Sequence, residues 1–455
     1  MHHNLLLLAA ALFLSAPTSL PHGGPQDFEW IASGGGAKND KTRAVAFAPD
    51  GGVFLAGETT GEGVFGGVKR ESLGESDFFL AKVSKDGDFL WVRSLGGSLV
   101  DRGYGVVSDA TGNAYVTGHF QSTDAEAAGA QLPNRGDYDV FVAKYSPAGD
   151  LIWIRTAGGA GYDYGHGIVL DSKGDLVVCG SVTGESHFED TVTQSGGKRR
   201  SVFAAKYSPE GELRWVTTST GDFSGSGHGV SVDRDGNLYL GGSGNGSGHI
   251  GEIALDGKTG ATLVLKLSPA GKPLWATLTP GTLSAGFHEI TTDNKGRVWC
   301  AGMFKGKVTL GDQTWETTGE KDSDGLLVHY SADGVLQWSR PIQGPETDYC
   351  LGVATDGIGR VFVTGEFSRD ATFAGQSLTS AGATDVFVAA LDEKGTLEWC
   401  LQGGGEKGDN AYTLVWHSDG KLLFGGGGTA PAAFGSKTLK NSGAADAYGA
   451  LLRIR

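Results

Sequence analysis

Seven of the ten tryptophans, Trp30, Trp91, Trp153, Trp215, Trp275, Trp338 and Trp399, follow one another at intervals of 60 to 63 residues. A period that long, held along most of the chain, marks one supersecondary unit repeated in tandem. Unit 2 shows its content: YGVVSD, a turn ATGN, AYVTGHF, a longer stretch, DVFVAKYS, a turn PAGD and LIWIRTAGG. The apolar runs are short, rich in Val, Tyr, Phe and Ile, and bounded by Asp, Asn and Gly, which are strand and hairpin signals. Four strands per unit, A to D, make an antiparallel meander. Glycine is abundant at 77 of 455 residues, but there is no Gly-X-Y period and 39% of residues are hydrophobic, so neither collagen nor a disordered chain fits.

Seven four-stranded sheets bury their faces against one another when they close into a ring. The fold class expected is therefore all-β, a seven-bladed β-propeller of four-stranded antiparallel blades. The last unit stops at DAYGALLRIR, which aligns with strand C, while DFEWIASGGG (Asp27 to Gly36) supplies the missing D strand from the other end. The N-terminal strand is thus expected to complete blade 7 and close the ring.

The unit resembles the bacterial β-propeller repeat called SBBP, with D-x-G-N-x-Y-V-T-G, D-x-F-V-A-K, G-x-x-x-W and a terminal G-G. Here these are Asp109 to Gly118, Asp139 to Lys144, Gly149 to Trp153, and Gly158-Gly159. A Phe-x-Gly element follows at Phe65-Gly67 and Phe373-Gly375, with Phe434-Gly435 as a shorter variant. The resemblance covers residues 27 to 455. It implies a propeller in an exported bacterial protein, serving as a scaffold or binding surface without an assigned reaction.

Leu5 to Leu14 form an apolar run, followed by SAPTSLPHGG. Ten residues suit a signal-peptide core and are too few to cross a bilayer. Residues 1-22 are read as a signal peptide cleaved between Ala16 and His22, and residues 23-455 as the propeller, secreted to the extracellular space, periplasm or cell surface. The net charge of −15 argues against nucleic acid as a partner. No membrane span is expected, and the protein is read as a monomer.

The departures from symmetry carry the functional reading. An Asp precedes strand A in five units (Asp40, Asp101, Asp163, Asp348, Asp409), with Gly225 and Ala285 in units 4 and 5. A second precedes strand C (Asp77, Asp139, Asp324, Asp385, Asp446), with Ser201 and Ala261 as exceptions. Both rings should share one rim, onto which the long B–C segments open. One reading makes each Asp a loop device that accepts backbone N–H bonds. The other makes the rim an acidic site for a cation or polyol, formed by Asp40, Asp101, Asp163, Asp348, Asp409 and Glu289. Three residues beyond the first Asp position stand Arg43, Tyr104, His166, His228, His288, Leu351 and Tyr412. His166, His228 and His288, on adjacent blades near the axis, would hold a divalent metal ion if their rings converge. The strand assignments keep Cys179, Cys300, Cys350 and Cys400 too far apart for disulfides.

Binding is favoured over catalysis: a secreted, non-enzymatic scaffold holding a glycan, cell-wall or cell-surface component, metal ion or protein partner. The alternative is an extracellular lyase or hydrolase with a His/carboxylate site at the channel mouth. LSPAGKPLW and LDEKGTLEW resemble quinoprotein dehydrogenase repeats, but the period near 61 and the absence of an adjacent cysteine pair disfavour that class. Any specific ligand is expected on the side of blades 3 to 5, where both aspartates lapse and the histidines appear.

Overall fold

The computed structural model describes residues 24–194, 199–281, 284–319, 322–440 and 443–454, so the signal-peptide expectation at 1–22 lies outside the described residues. Strands account for all regular structure, and no helix occurs among the described residues. Each unit pairs A–B–C–D antiparallel. In unit 1 the strands are Lys41–Phe47, Val53–Thr59, Asp77–Val83 and Phe89–Gly96; in unit 2 they are Asp101–Ser108, Ala114–Phe120, Asp139–Tyr145 and Leu151–Gly159. Tight turns join A to B and C to D, with glycines such as Gly112 and Gly236 at φ of 85° and 82°, a region that other L-residues rarely adopt.

Strand Pro25–Gly36 pairs antiparallel with Asp446–Ile454, Trp30 facing Leu451 and Ser33 facing Tyr448. Phe28 from this strand lies in the core of unit 7, edge-on to Phe424 and Phe434 with ring centroids at 5.9 Å. Burial of one such ring contributes about 1.5–3 kcal/mol. The A strands pack side by side in sequence order, and A of unit 7 (Asn410–His417) packs on A of unit 1. Apolar clusters fill the gaps between neighbouring sheets, as where Phe78 of unit 1 meets Phe141 of unit 2 at 5.2 Å.

The tryptophan ruler has a mechanical meaning. The D-strand indoles of units 1 to 5 reach into the C–D turn of the next unit, where a glycine leaves room for them. Trp91 Nε1 donates to Pro147 O, Trp153 Nε1 to Pro209 O and Trp338 Nε1 to Glu393 O, at 3.0, 3.1 and 3.0 Å. A Cβ on Gly211 would stand 2.9 Å from the ring of Trp153. Trp30 does the same from the N-terminal strand, donating to Lys85 O of unit 1 at 3.0 Å. Trp399 faces unit 7, whose C and D strands come from opposite ends of the chain and leave no C–D turn. Its Nε1 is buried without a partner among the described residues.

The long B–C segments are hairpins, and they are not free loops. The hairpin of unit 1 (Glu62–Phe65, Val68–Glu71) adds to the D strand of unit 7, and that of unit 3 (Glu185–Phe188, Thr191–Gln194) adds to the D strand of unit 2. Backbone ladders of this kind lace six of the units to their predecessors, and in unit 5 a single bridge between Gly281 and Val308 stands in for the ladder. All four cysteines are buried and free, as their strand positions require.

Candidate functional site

One device aims side chains at the axis. In every A strand the register with B slips at the same place, skipping Arg43, Tyr104, His166, His228, His288, Leu351 and Tyr412. A β-bulge re-aims the extra residue and bends the strand. Six of the seven make a continuous chain around the axis. The Arg43 guanidinium lies 5.3 Å from the Tyr412 ring and 4.7 Å from Tyr104. Tyr104 to His166, His166 to His228 and His228 to His288 follow with centroids at 4.9, 4.7 and 5.7 Å.

The channel is polarised. On the side of units 1 and 2, Arg43 and Arg102 both bind Glu58, at 2.8 and 3.0 Å. Burial works to raise the Glu58 pKa, but the two guanidinium groups hold it below the ordinary value. Next to them Tyr104, His119, Tyr138, Tyr164 and His166 form a stacked aromatic cluster, which Tyr162 extends to the surface. On the side of units 3 to 5, His228 stands among glycines and serines. Enclosure by protein holds His119, His166 and His228 well below the usual imidazole range and lowers His288 to about 4, so all four are neutral at pH 7. The three imidazoles are neighbours but tilted ring against ring, at 46° and 45°. No group of three His, Cys, Asp or Glu among the described residues is arranged to hold a metal ion.

The rim is not acidic in the expected sense. Asp40, Asp101, Asp163, Asp348 and Asp409 are 0% exposed. They are spent on backbone: Asp163 accepts N–H bonds from Gly159 and Thr183, both at 2.6 Å, and Asp409 accepts them from Gly405 and Thr429 at 2.9 and 2.7 Å. These five side chains cannot reach a ligand, and the loop-fixing reading holds for them. The missed signal is that strand C of one unit and strand A of the next share these aspartates. They face each other across a junction, together with the first glycine of the terminal pair.

Where the aspartates lapse, a hollow opens. A cavity of about 250 Å³ is lined by Arg200, Ser224, Ser226, His228, Ser243 and Asn245, together with glycine backbone. It occupies the junctions of units 3, 4 and 5, beside Gly225 and Ala285. Among the described lining residues Arg200 carries the one fixed charge, with its guanidinium 5.5 Å from the Tyr164 ring. A second cavity of about 280 Å³ lies along the axis, with His228 and Glu289 in its wall. Burial pushes the Glu289 pKa up to about 7.

Known proteins give the class. An uncharacterized WD repeat-containing protein of Acanthamoeba polyphaga mimivirus is 24% identical, over 64% of this chain and 26% of its own length. The regulatory protein FlaEY of Caulobacter vibrioides is 29% identical, over 40% of this chain and 19% of its own length. The chain therefore spans about a quarter or less of the curated relatives it matches. Among solved structures, a polysaccharide lyase of family PL25, an ulvan lyase, shares 10% identity over 88% of this chain and 93% of its own, at a TM-score of 0.47. A quinohemoprotein alcohol dehydrogenase of Comamonas testosteroni shares 11% over 93% and 76%, at 0.42. No family model matches the chain. With its repeated four-stranded sheets and a WD-repeat relative, the chain is a β-propeller repeat protein.

Proposed function

We propose that the chain is a secreted seven-bladed propeller of the SBBP type that binds a glycan at the open junctions of units 3 to 5, without catalysis. The pairing of Pro25–Gly36 with Asp446–Ile454 and the seating of Trp30 in unit 1 support a ring closed by the N-terminal strand. The repeat motifs and the apolar run at Leu5 to Leu14 support the family and the export readings.

The observation that carries the binding reading is the hollow itself. Serine hydroxyls, the Asn245 amide and exposed glycine backbone offer hydrogen bonds in many directions, as a polyol needs, around a single Arg200. A cavity with few fixed charges and convergent polar groups supports this reading. The tyrosines beside it, Tyr138, Tyr162 and Tyr164, offer aromatic faces to a sugar ring. The reading is tested by calorimetric titration with neutral and uronate-containing oligosaccharides. Arg200→Ala with His228→Ala should abolish binding and Asp40→Ala should spare it; the opposite pattern sinks the site. Sequencing the N-terminus of protein recovered from the culture medium tests export.

The environment of Glu289 favours one second reading. A carboxyl group with a pKa of about 7, in the wall of a cavity that a neutral imidazole also lines, has the properties of a general acid or base. Glu289→Gln separates the two: a hydrolase or lyase would keep its ligand and lose product formation, whereas a scaffold would show no product in either form.

A further inference from the structure

Five of the seven junctions carry an aspartate pair, and the geometry is the same in each. The N–H of the A-strand Asp donates to the carbonyl just before the C-strand Asp of the preceding unit. These bonds are Asp40 to Ala445 and Asp101 to Ser76 at 2.7 Å, Asp163 to Tyr138 and Asp409 to Thr384 at 2.9 Å, and Asp348 to Ser323 at 2.8 Å. The two side chains therefore sit side by side, all ten of them at most 2% exposed. A glycine at the end of the D strand leaves them room. A Cβ on Gly158 would meet Asp139 Oδ1 at 2.3 Å and Asp163 Oδ2 at 2.9 Å; on Gly35 it would meet Asp40 Oδ2 at 2.5 Å and Asp446 Oδ1 at 2.8 Å.

Donors are unequally shared. The A-strand carboxylates collect backbone N–H groups, two for Asp163 and three plus a hydroxyl for Asp101. The C-strand partners use Oδ2 alone, for Leu73, Arg135 and Ala381 N–H and for the Gln343 amide. Oδ1 of Asp77, Asp139, Asp324 and Asp385 meets no donor among the described residues, yet is buried. The charged groups facing the pairs add little relief. Arg135 lies 3.8 Å from Asp139, whereas Asp124 faces Asp77, Glu58 faces Asp40, Asp322 faces Asp324 and Asp348, and Glu366 faces Asp348.

The sequence treats each junction as a unit. Between units 3 and 4 the three positions read Ser201, Thr220 and Gly225; between units 4 and 5 they read Ala261, Pro280 and Ala285. Both aspartates and the first glycine go together, and no half pair exists. Gln343 replaces that glycine once, between units 5 and 6, and there its amide serves Asp324.

We propose that the junctions Asp77–Asp101, Asp139–Asp163, Asp324–Asp348 and Asp385–Asp409 each bind one proton, held between the two aspartates as a carboxylic acid donating to a carboxylate, so that four protons belong to the native fold near pH 6. Two buried carboxylates in contact cannot both ionise without a counter-charge. Calcium would need six or more oxygens, and the neighbours here are mostly N–H donors. Burial pushes Asp77, Asp163 and Asp348 up to about 7 and Asp139, Asp324, Asp385 and Asp409 up to about 6, and each pair titrates as a unit. Unfolded aspartates titrate near 3.9. The native chain therefore binds more protons than the unfolded one from about pH 4 upward, and loses that stabilisation as the pH rises through 6 to 7. Histidines held neutral act in the opposite sense, but only below about pH 6.5, so the range above it reports the carboxyl groups. Glu289 and Glu366, both pushed up to about 7, add to the same trend without belonging to any pair.

Infrared spectroscopy of the intact protein tests the proposal, because a protonated carboxyl has its own C=O stretch. The band should be present at pH 6, fade by about pH 8.5, and shrink strongly in the variant Asp77→Asn, Asp139→Asn, Asp324→Asn, Asp385→Asn. The melting temperature of the parent should fall over the same range, and that of the variant by much less, since each amide replaces the proton. If the quadruple variant does not fold, Asp77→Asn alone must lower the band in proportion to one junction. A band absent at pH 6, a band unchanged by these substitutions, or stoichiometric calcium or sodium retained after gel filtration would overturn the proposal.

Discussion

The paired junctions and the two open ones between units 3, 4 and 5 are built on the same strands, yet they do opposite things with buried space. Where Asp, Gly and Asp stand together, the interior is filled with carboxylates tied to backbone N–H groups. Where Ser201, Thr220 and Gly225, or Ala261, Pro280 and Ala285, stand instead, no carboxylate fills the junction, and a polar hollow lies beside Gly225 and Ala285. A repeat protein can thus open a hollow by leaving its own fastening out, and the cost is confined because neighbouring joints stay closed.

The largest test removes one joint altogether. Deleting residues 25–36 strips unit 7 of its D strand, of Phe28 and of the Trp30 clasp, and bares the edge of Asp446–Ile454. Loss of soluble monomer in sedimentation is expected, since an unpaired edge recruits other chains. A monomer that melts as the parent does would mean the joint is dispensable.

Next in size is the glycine of a paired joint. Gly96→Ala sets a Cβ 2.4 Å from Asp77 Oδ1, and denaturant unfolding should show a loss of about 2–4 kcal/mol. Thr220→Ala, at the corresponding place of an open joint, should stay within about 0.5 kcal/mol. Equal effects would erase the distinction between the two kinds of junction.

A half pair should be worse than either whole state. Ser201→Asp buries a carboxyl with no partner and should cost about 1–3 kcal/mol. Adding Thr220→Gly and Gly225→Asp should recover part of that loss while closing the hollow to ligand. Additive losses in unfolding experiments would count against pairing.

The smallest effect concerns the clasps. Trp153→Phe gives up the bond to Pro209 and should cost about 1 kcal/mol more than Trp399→Phe, whose indole N–H has no partner to lose. Identical values would show that the indoles act by bulk alone.

Much of the architecture was legible because it is local and periodic. Turn glycines, alternating strands and the misplaced D strand at Asp27 to Gly36 can be counted along the chain. The aspartates were half legible: their backbone role followed from their type, but reading them as rings around a rim hid their partnership. Asp139 and Asp163 belong to different units, and they become neighbours only once two sheets are packed. The joint loss of Ser201, Thr220 and Gly225 was the available signal, visible only when the three positions are read across the unit boundary. The B–C hairpins escaped for a related reason. Nothing in a polar stretch such as TGESHFEDTVTQ says that its partner is a strand of the preceding unit. His166, His228 and His288 are neighbours ring to ring, but their tilt against one another belongs to the packed strands and could not be read from spacing.

The repeated bulge has a further consequence. Because the slipped residue stands outside the A–B ladder, its side chain is decoupled from the register that holds each sheet together. Arginine, tyrosine, histidine and leucine already occupy that position in one molecule, at seven copies of the same backbone slip. The chain therefore works as a seven-letter word written on a fixed frame. Changing a letter rewrites what the pore displays, its charge, its polarity and its bore, while the grammar of the fold is left alone.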